Sequence, residues 1–218
     1  TLDINPNSSV GIGSSASVIV KRDTLSGNIL INSIGFNSTG VSTATNSISL
    51  NALHLNTGDK VKYSANEAIS GLTAEKSYFL YKVNTNKVQF AETYSNSIAK
   101  PPIIVGMGNT GGIDQSISLI NPQIQSVKNN NLVFDLSDSS LTGYEFKIYY
   151  DQDFKNEFVS TGSSTIFNIS GVGTVGSGTT SSLTIGYDAL LPGSLYYNLE
   201  KSGYISTADN GVQNYSEI

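Results

Sequence analysis

Apolar and polar residues alternate in short runs along most of this 218-residue chain, and the runs are separated by Gly, Asn, Ser and Thr. A period of two places one side of a strand in a core and the other in water. The pattern predicts strands over Ala16 to Arg22, Asn28 to Asn32, Ser47 to Leu50, Lys60 to Tyr63, Lys76 to Val83, Lys87 to Ala91 and Gln115 to Ile120. Ser26-Gly27 reads as a turn between the first two, and Asn84-Thr85-Asn86 as the loop of a hairpin. A second set follows over Gln123 to Lys128, Leu132 to Leu136, Tyr144 to Tyr150, Ser164 to Ile169, Ser182 to Tyr187 and Leu195 to Leu199. Such spacing, with turn residues between the strands, is that of a small β-sandwich. No stretch shows sustained helical periodicity, so the expected fold class is all-β, with at most a turn or two of helix.

Asn121-Pro122 marks a boundary. Pro122 fixes its own φ, and the residue before a proline is biased to extended backbone, so Asn121 is expected to be extended. The charge changes there as well. Residues 1–121 carry 8 basic and 7 acidic groups, whereas residues 122–218 carry 4 and 10. The expected organisation is two or three small β-sandwich or β-barrel-like modules in tandem. They are a hairpin module over 1–45, a β module over 46–121 and an immunoglobulin-like sandwich over 122–218. Phe134, Phe146, Phe167 and Tyr197 are the expected core of the last one, because no disulfide can pin its sheets.

Composition narrows the chemistry. There is no Cys and one His, so neither disulfides nor Cys- or His-rich metal sites can form. The formal net charge is −5, which gives nucleic acid no electrostatic footprint. No apolar run reaches the ~18 residues of a membrane helix, so membrane insertion is not expected. The chain opens on Thr1 rather than Met, which reads as a piece of a longer product.

Several patterns could carry function. Gly171 to Gly176 fits G-x-G-x-x-G, but a strand and not a helix follows it, so it reads as a hairpin loop and no cofactor is expected. Asp151, Asp153 and Glu157 crowd three carboxylates into seven residues. They are weak candidates for calcium, because an EF-hand loop runs to about twelve residues with Gly sixth. Paired-carboxylate glycoside hydrolysis needs two groups facing one sugar, roughly 5 to 9 Å apart, and usually aromatic platforms. The chain has no Trp, and no such pair stands out. His54 lies just before the turn at Gly58-Asp59 and reads as a structural histidine. No catalytic residue is assigned, and the chain is read as non-enzymatic. The doublets Tyr149-Tyr150 and Tyr196-Tyr197 put one ring inward and one outward on each strand. Outward tyrosines suit a subunit interface or a sugar platform.

Two stretches carry a resemblance. Thr57-Gly58-Asp59-Lys60-Val61-Lys62-Tyr63, then Gly71-Leu72-Thr73, then Ser77-Tyr78-Phe79-Leu80 and Lys87-Val88-Gln89-Phe90, resemble a repeat of large tail, baseplate and adhesin proteins. The run from Thr142 to Thr161, together with Ile169 to Gly176 and Leu195 to Thr207, resembles virion structural proteins of contractile-tailed phages that infect marine cyanobacteria. The resemblance covers about three quarters of the chain. It implies a structural role in the virion, in tail or baseplate, with other virion proteins or copies of the chain itself as partners. The alternative is an adhesin segment on a bacterial cell surface or particle that binds host surface glycan.

Overall fold

The computed structural model describes residues 15–52, 54–122, 124, 131–151, 153–159, 169–172, 174–179, 181–185, 195–201 and 216–217. The first strands in chain order are β1 (Ser15–Arg22), β2 (Ile29–Phe36), β3 (Val41–Ser42), β4 (Ser47–Ser49), β5 (Lys60–Ala65), β6 (Ser77–Asn84), β7 (Lys87–Ala91) and β8 (Gln115–Ile120). They are followed by β9 (Asn131–Asp135), β10 (Tyr144–Tyr149), β11 (Glu157–Val159), β12 (Ile169–Val172), β13 (Ser182–Ile185), β14 (Tyr196–Lys201) and β15 (Ser216–Glu217). Among the described residues, helix is confined to α1 (Tyr94–Ile98) and two three-residue 3-10 turns. The fold is all-β with mixed sheets.

The chain forms two compact units. One is Asn32–Pro122, and the other joins Leu2–Ile31 to Gln123–Ile218. The chain changes unit inside β2 and again after Pro122, and an Asn with left-handed φ stands at each place: Asn32 at 45° and Asn121 at 43°. The expectation of an extended Asn121 is thereby corrected. Asn is among the few residues that enter this region without large strain, and that tolerance outweighs the bias set by the following proline.

In the unit Asn32–Pro122 the strand order is β8-β5-β6-β7-β4-β3, and each pair is antiparallel. Its core is aromatic. Phe90 packs edge-on against Tyr78 at 5.4 Å between ring centres and is tilted against Tyr63 at 6.1 Å. All three rings are fully buried beside Ile48, Leu55, Ile69 and Leu80. Gly71 is forced: its φ is 98°, and a Cβ there would lie 1.9 Å from the Gly106 carbonyl oxygen.

The other unit has two sheets. One runs β12-β13-β9-β1, ending on the first residues of β2, and its β1–β9 pair is parallel, Ser15 to Ile19 against Asn131 to Asp135. The second runs β11-β10-β14-β15 and is antiparallel. Phe134 of the first sheet meets Phe146 and Tyr197 of the second at 4.8 and 6.3 Å, and all three are fully buried. They are three of the four aromatics expected in this core; Phe167 lies outside the described residues, as do most of the strands expected at 123–128 and 164–169. Neither strand order closes on itself among the described residues.

Candidate functional site

Two surfaces carry more than packing. The first belongs to the unit Asn32–Pro122. Strand β6 buries Tyr78 and Leu80 on its inner face, yet its outer face is also apolar, with Phe79, Tyr81 and Val83. Helix α1 covers part of it. Thr93 caps the helix, its hydroxyl oxygen accepting the Asn96 N–H at 3.1 Å, and Ser97 donates to the Tyr94 carbonyl. Tyr94 then stands edge-on to Phe79 at 6.1 Å. This approach needs Gly58, where a Cβ would lie 2.7 Å from the Tyr94 ring.

Beyond the helix the chain turns through Pro101 and Pro102, held by Ile103 N–H to the Asn96 carbonyl at 3.0 Å. An open groove of about 410 Å³ results, lined chiefly by Tyr81, Ile98, Pro101, Pro102, Thr57 and Lys100. Tyr94, Ile98 and Ile103 are 53%, 46% and 60% exposed. Large apolar side chains gathered this way on a folded surface mark an interaction site more often than chance exposure.

The second surface is the outer face of β10 and β14. The ladder sets Glu145 opposite Glu200, Lys147 opposite Asn198, and Tyr149 opposite Tyr196. Because alternate residues share a face, these six side chains lie together, while Phe146, Ile148 and Tyr197 point into the core. The Lys147 ammonium lies 3.2 Å from Glu200, 3.3 Å from Glu157 and 3.6 Å from Glu145. Tyr149 donates its hydroxyl hydrogen to Glu200, reaching along the row past the Lys147–Asn198 pair. Burial pushes the Tyr149 pKa up, and Glu200 with the neighbouring carboxylates pushes it further, so the phenol stays protonated. Burial works against the charge of Lys147, but the bond and charge of Glu200, with Glu157, outweigh it and raise its pKa.

The residues singled out in the sequence are placed as follows. Tyr149 and Tyr197 are the buried members of their doublets, while Tyr150 is exposed and Tyr196 half-buried. Tyr149 also packs edge-on against Phe154 at 5.2 Å. The Asp151 carboxylate accepts the backbone N–H groups of Lys155 and Asn156, at 3.1 and 2.7 Å, which lowers its pKa and closes the turn after β10. Asp153 is exposed beside Lys155 at 3.3 Å, and Glu157 faces Lys147. The structure thus separates the three carboxylates, assigning Glu157 to the Lys147 cluster. Among the described residues no group of His, Cys, Asp and Glu is placed to hold a metal ion. His54 is partly buried in a turn. Gly171 lies in β12, which pairs with β13 as an antiparallel hairpin, and among the described residues no helix starts after Gly176.

Sequence reasoning missed the groove, and of the second surface it singled out only Tyr149, Tyr196 and Glu157. The groove had a signal in the unbroken apolar run Tyr78-Phe79-Leu80-Tyr81, which leaves β6 no wet face, and in Pro101-Pro102. The cluster had one in Glu145, Lys147 and Tyr149 at a period of two. Comparison of the chain with protein-family models, with curated proteins and with solved structures finds no match.

Proposed function

We propose that this chain is a non-enzymatic structural segment of a phage virion, associated with the tail or baseplate, and that it acts in assembly as a spacer and interface. In this reading its units are β modules of a longer virion protein, the second a sandwich closed around Phe134, Phe146 and Tyr197. The observation that carries the proposal is the apolar groove beside α1. Exposed Tyr94, Ile98 and Ile103 cost solubility in an isolated chain and gain a purpose only when another protein covers them. The resemblance of residues 57–90 and of the run from Thr142 to tail and baseplate proteins supports the same reading. Partners are other virion proteins or copies of the chain, and the location is the particle.

Sedimentation across a concentration series tests this. The full chain is expected to associate, alone or with extracts of the particle's other structural proteins. Ile98→Asp should weaken association at least tenfold, the loss of roughly one well-buried aliphatic contact. A wild-type chain that stays monomeric with every structural protein of the particle, or an Ile98→Asp chain that assembles normally, would overturn the proposal.

A further inference from the structure

We propose that the outer face of β10 and β14 is a binding site for a neutral polyhydroxylated ligand, a sugar, seated against Asn198 and the carboxylates of Glu145 and Glu157. This inference is independent of the assembly reading, since it uses other residues and needs no partner copy. It rests on Asn198. That residue is only 8% exposed, and its side-chain amide has no hydrogen-bond partner among the described residues. Buried polar groups are nearly always paired. An amide needs an acceptor for its NH₂ and a donor for its carbonyl oxygen, and a hydroxyl group is both.

The neighbours fit the same ligand. Across the ladder from Asn198 stands Lys147, which can only donate; beside it are Glu145, Glu157 and Glu200, which can only accept. Glu145 and Glu157 have side chains 39% and 41% exposed, so the outer edge of the cluster is open to solvent. Tyr196, two residues from Asn198 on the same face and half-buried, supplies an aromatic ring of the kind whose electron-rich face takes the C–H surface of a sugar. Three carboxylates also invite a divalent cation. The Lys147 ammonium, however, lies within 3.6 Å of all three and fills the place where such an ion would gather them. A cation would also leave the Asn198 NH₂ without an acceptor. A lysine or arginine from a partner protein meets the same repulsion.

Saturation-transfer NMR on the full chain tests the site, with neutral trisaccharides of glucose, galactose, mannose and N-acetylglucosamine at millimolar concentration as probes. At least one is expected to receive saturation from the protein. Asn198→Leu should weaken that binding about tenfold, since a hydrogen-bonding pair is lost. It should not lower the melting temperature, because no side-chain hydrogen bond among the described residues is removed. Glu157→Gln, at the exposed edge, is a second variant that keeps the fold and should weaken binding several-fold. The proposal is overturned if no sugar receives saturation, which leaves a buried water as the occupant of Asn198. It is equally overturned if Asn198→Leu and Glu157→Gln bind like the wild type, or if calcium chloride alone binds the wild type and not the variants.

Discussion

Tyr63 donates its hydroxyl hydrogen to the Gln115 side-chain oxygen at 2.6 Å, across 52 positions of sequence, and accepts the Ile69 N–H at 3.0 Å. Gln115 in turn donates to the Thr110 and Gly112 carbonyls at 3.1 and 2.8 Å. One buried phenol therefore ties β5, the turn at Ile69 and the loop before β8 together. Tyr63→Phe keeps the ring and removes only the hydroxyl. It strands the Ile69 N–H and the Gln115 oxygen in a dry core, at a cost of about 1–3 kcal/mol. Denaturant unfolding should show a lower midpoint with an unchanged slope.

Gly71 is the sharpest steric test. Its φ of 98° and the 1.9 Å approach of the Gly106 oxygen to a built Cβ leave no room for a side chain. Gly71→Ala combines left-handed strain with a backbone clash, and about 2–5 kcal/mol of destabilisation is expected. Gly143→Ala is the control. Its φ of 80° carries similar strain, but nothing lies within 4 Å of its Cβ position, so the loss should be smaller. Equal melting temperatures for the two variants would show that the Gly106 contact does not matter.

Strand identity was legible because the apolar residues that β5, β6, β7 and β8 bury recur at a period of two, as Val61, Tyr63, Tyr78, Leu80, Val88, Phe90, Ile117 and Leu119 show, although β5 buries Lys62 as well. The β6–β7 hairpin was legible from Asn84 to Asn86 for the same local reason. The parallel pairing of β1 with β9 was not legible, because its partners are more than a hundred residues apart and no turn announces them. The candidate surfaces stayed hidden for a related reason. Glu145 and Lys147 read as ordinary wet-face charges until the ladder sets Glu200 and Asn198 opposite them. The groove needs α1, a helix too short for any periodicity to reveal.

The pH dependence of stability should carry a signature from Asp138. Burial alone would raise its pKa, but bonds from the Ser140 hydroxyl and backbone N–H, with Lys21 at 3.5 Å, outweigh burial and lower it. A carboxylate whose folded pKa lies below its unfolded value stabilises the fold above about pH 3.9, and the gain is lost as pH falls through the folded pKa. Asp138→Asn should therefore be less stable than the wild type at neutral pH and should converge with it below about pH 3.9. Asp59 runs the other way. Burial raises its pKa despite the bond from the Asn56 N–H, so its ionised form opposes folding at neutral pH. That penalty fades as pH falls towards the unfolded value, and Asp59→Asn should remove the slope. Urea titrations at several pH values separate the two.

The Lys147 ammonium lies within 3.6 Å of the carboxylates of Glu145, Glu157 and Glu200. Its side chain is 17% exposed and that of Glu200 only 8%, so the Lys147–Glu200 pair is largely withdrawn from water. Removing one partner of such a pair leaves an uncompensated charge, and the usual cost is about 3–5 kcal/mol. Lys147→Met keeps most of the length of the side chain and takes away the ammonium. The variant should be destabilised by roughly the lower end of that range, because Glu145 and Glu157 remain partly solvated. Denaturant unfolding at low and at high salt distinguishes charge from packing. Salt screens repulsion among the three carboxylates, so a loss that comes from the missing ammonium should shrink as salt is raised. If the difference between the two proteins is the same at every salt concentration, the loss comes from packing, and the three carboxylates do not act on one another through Lys147.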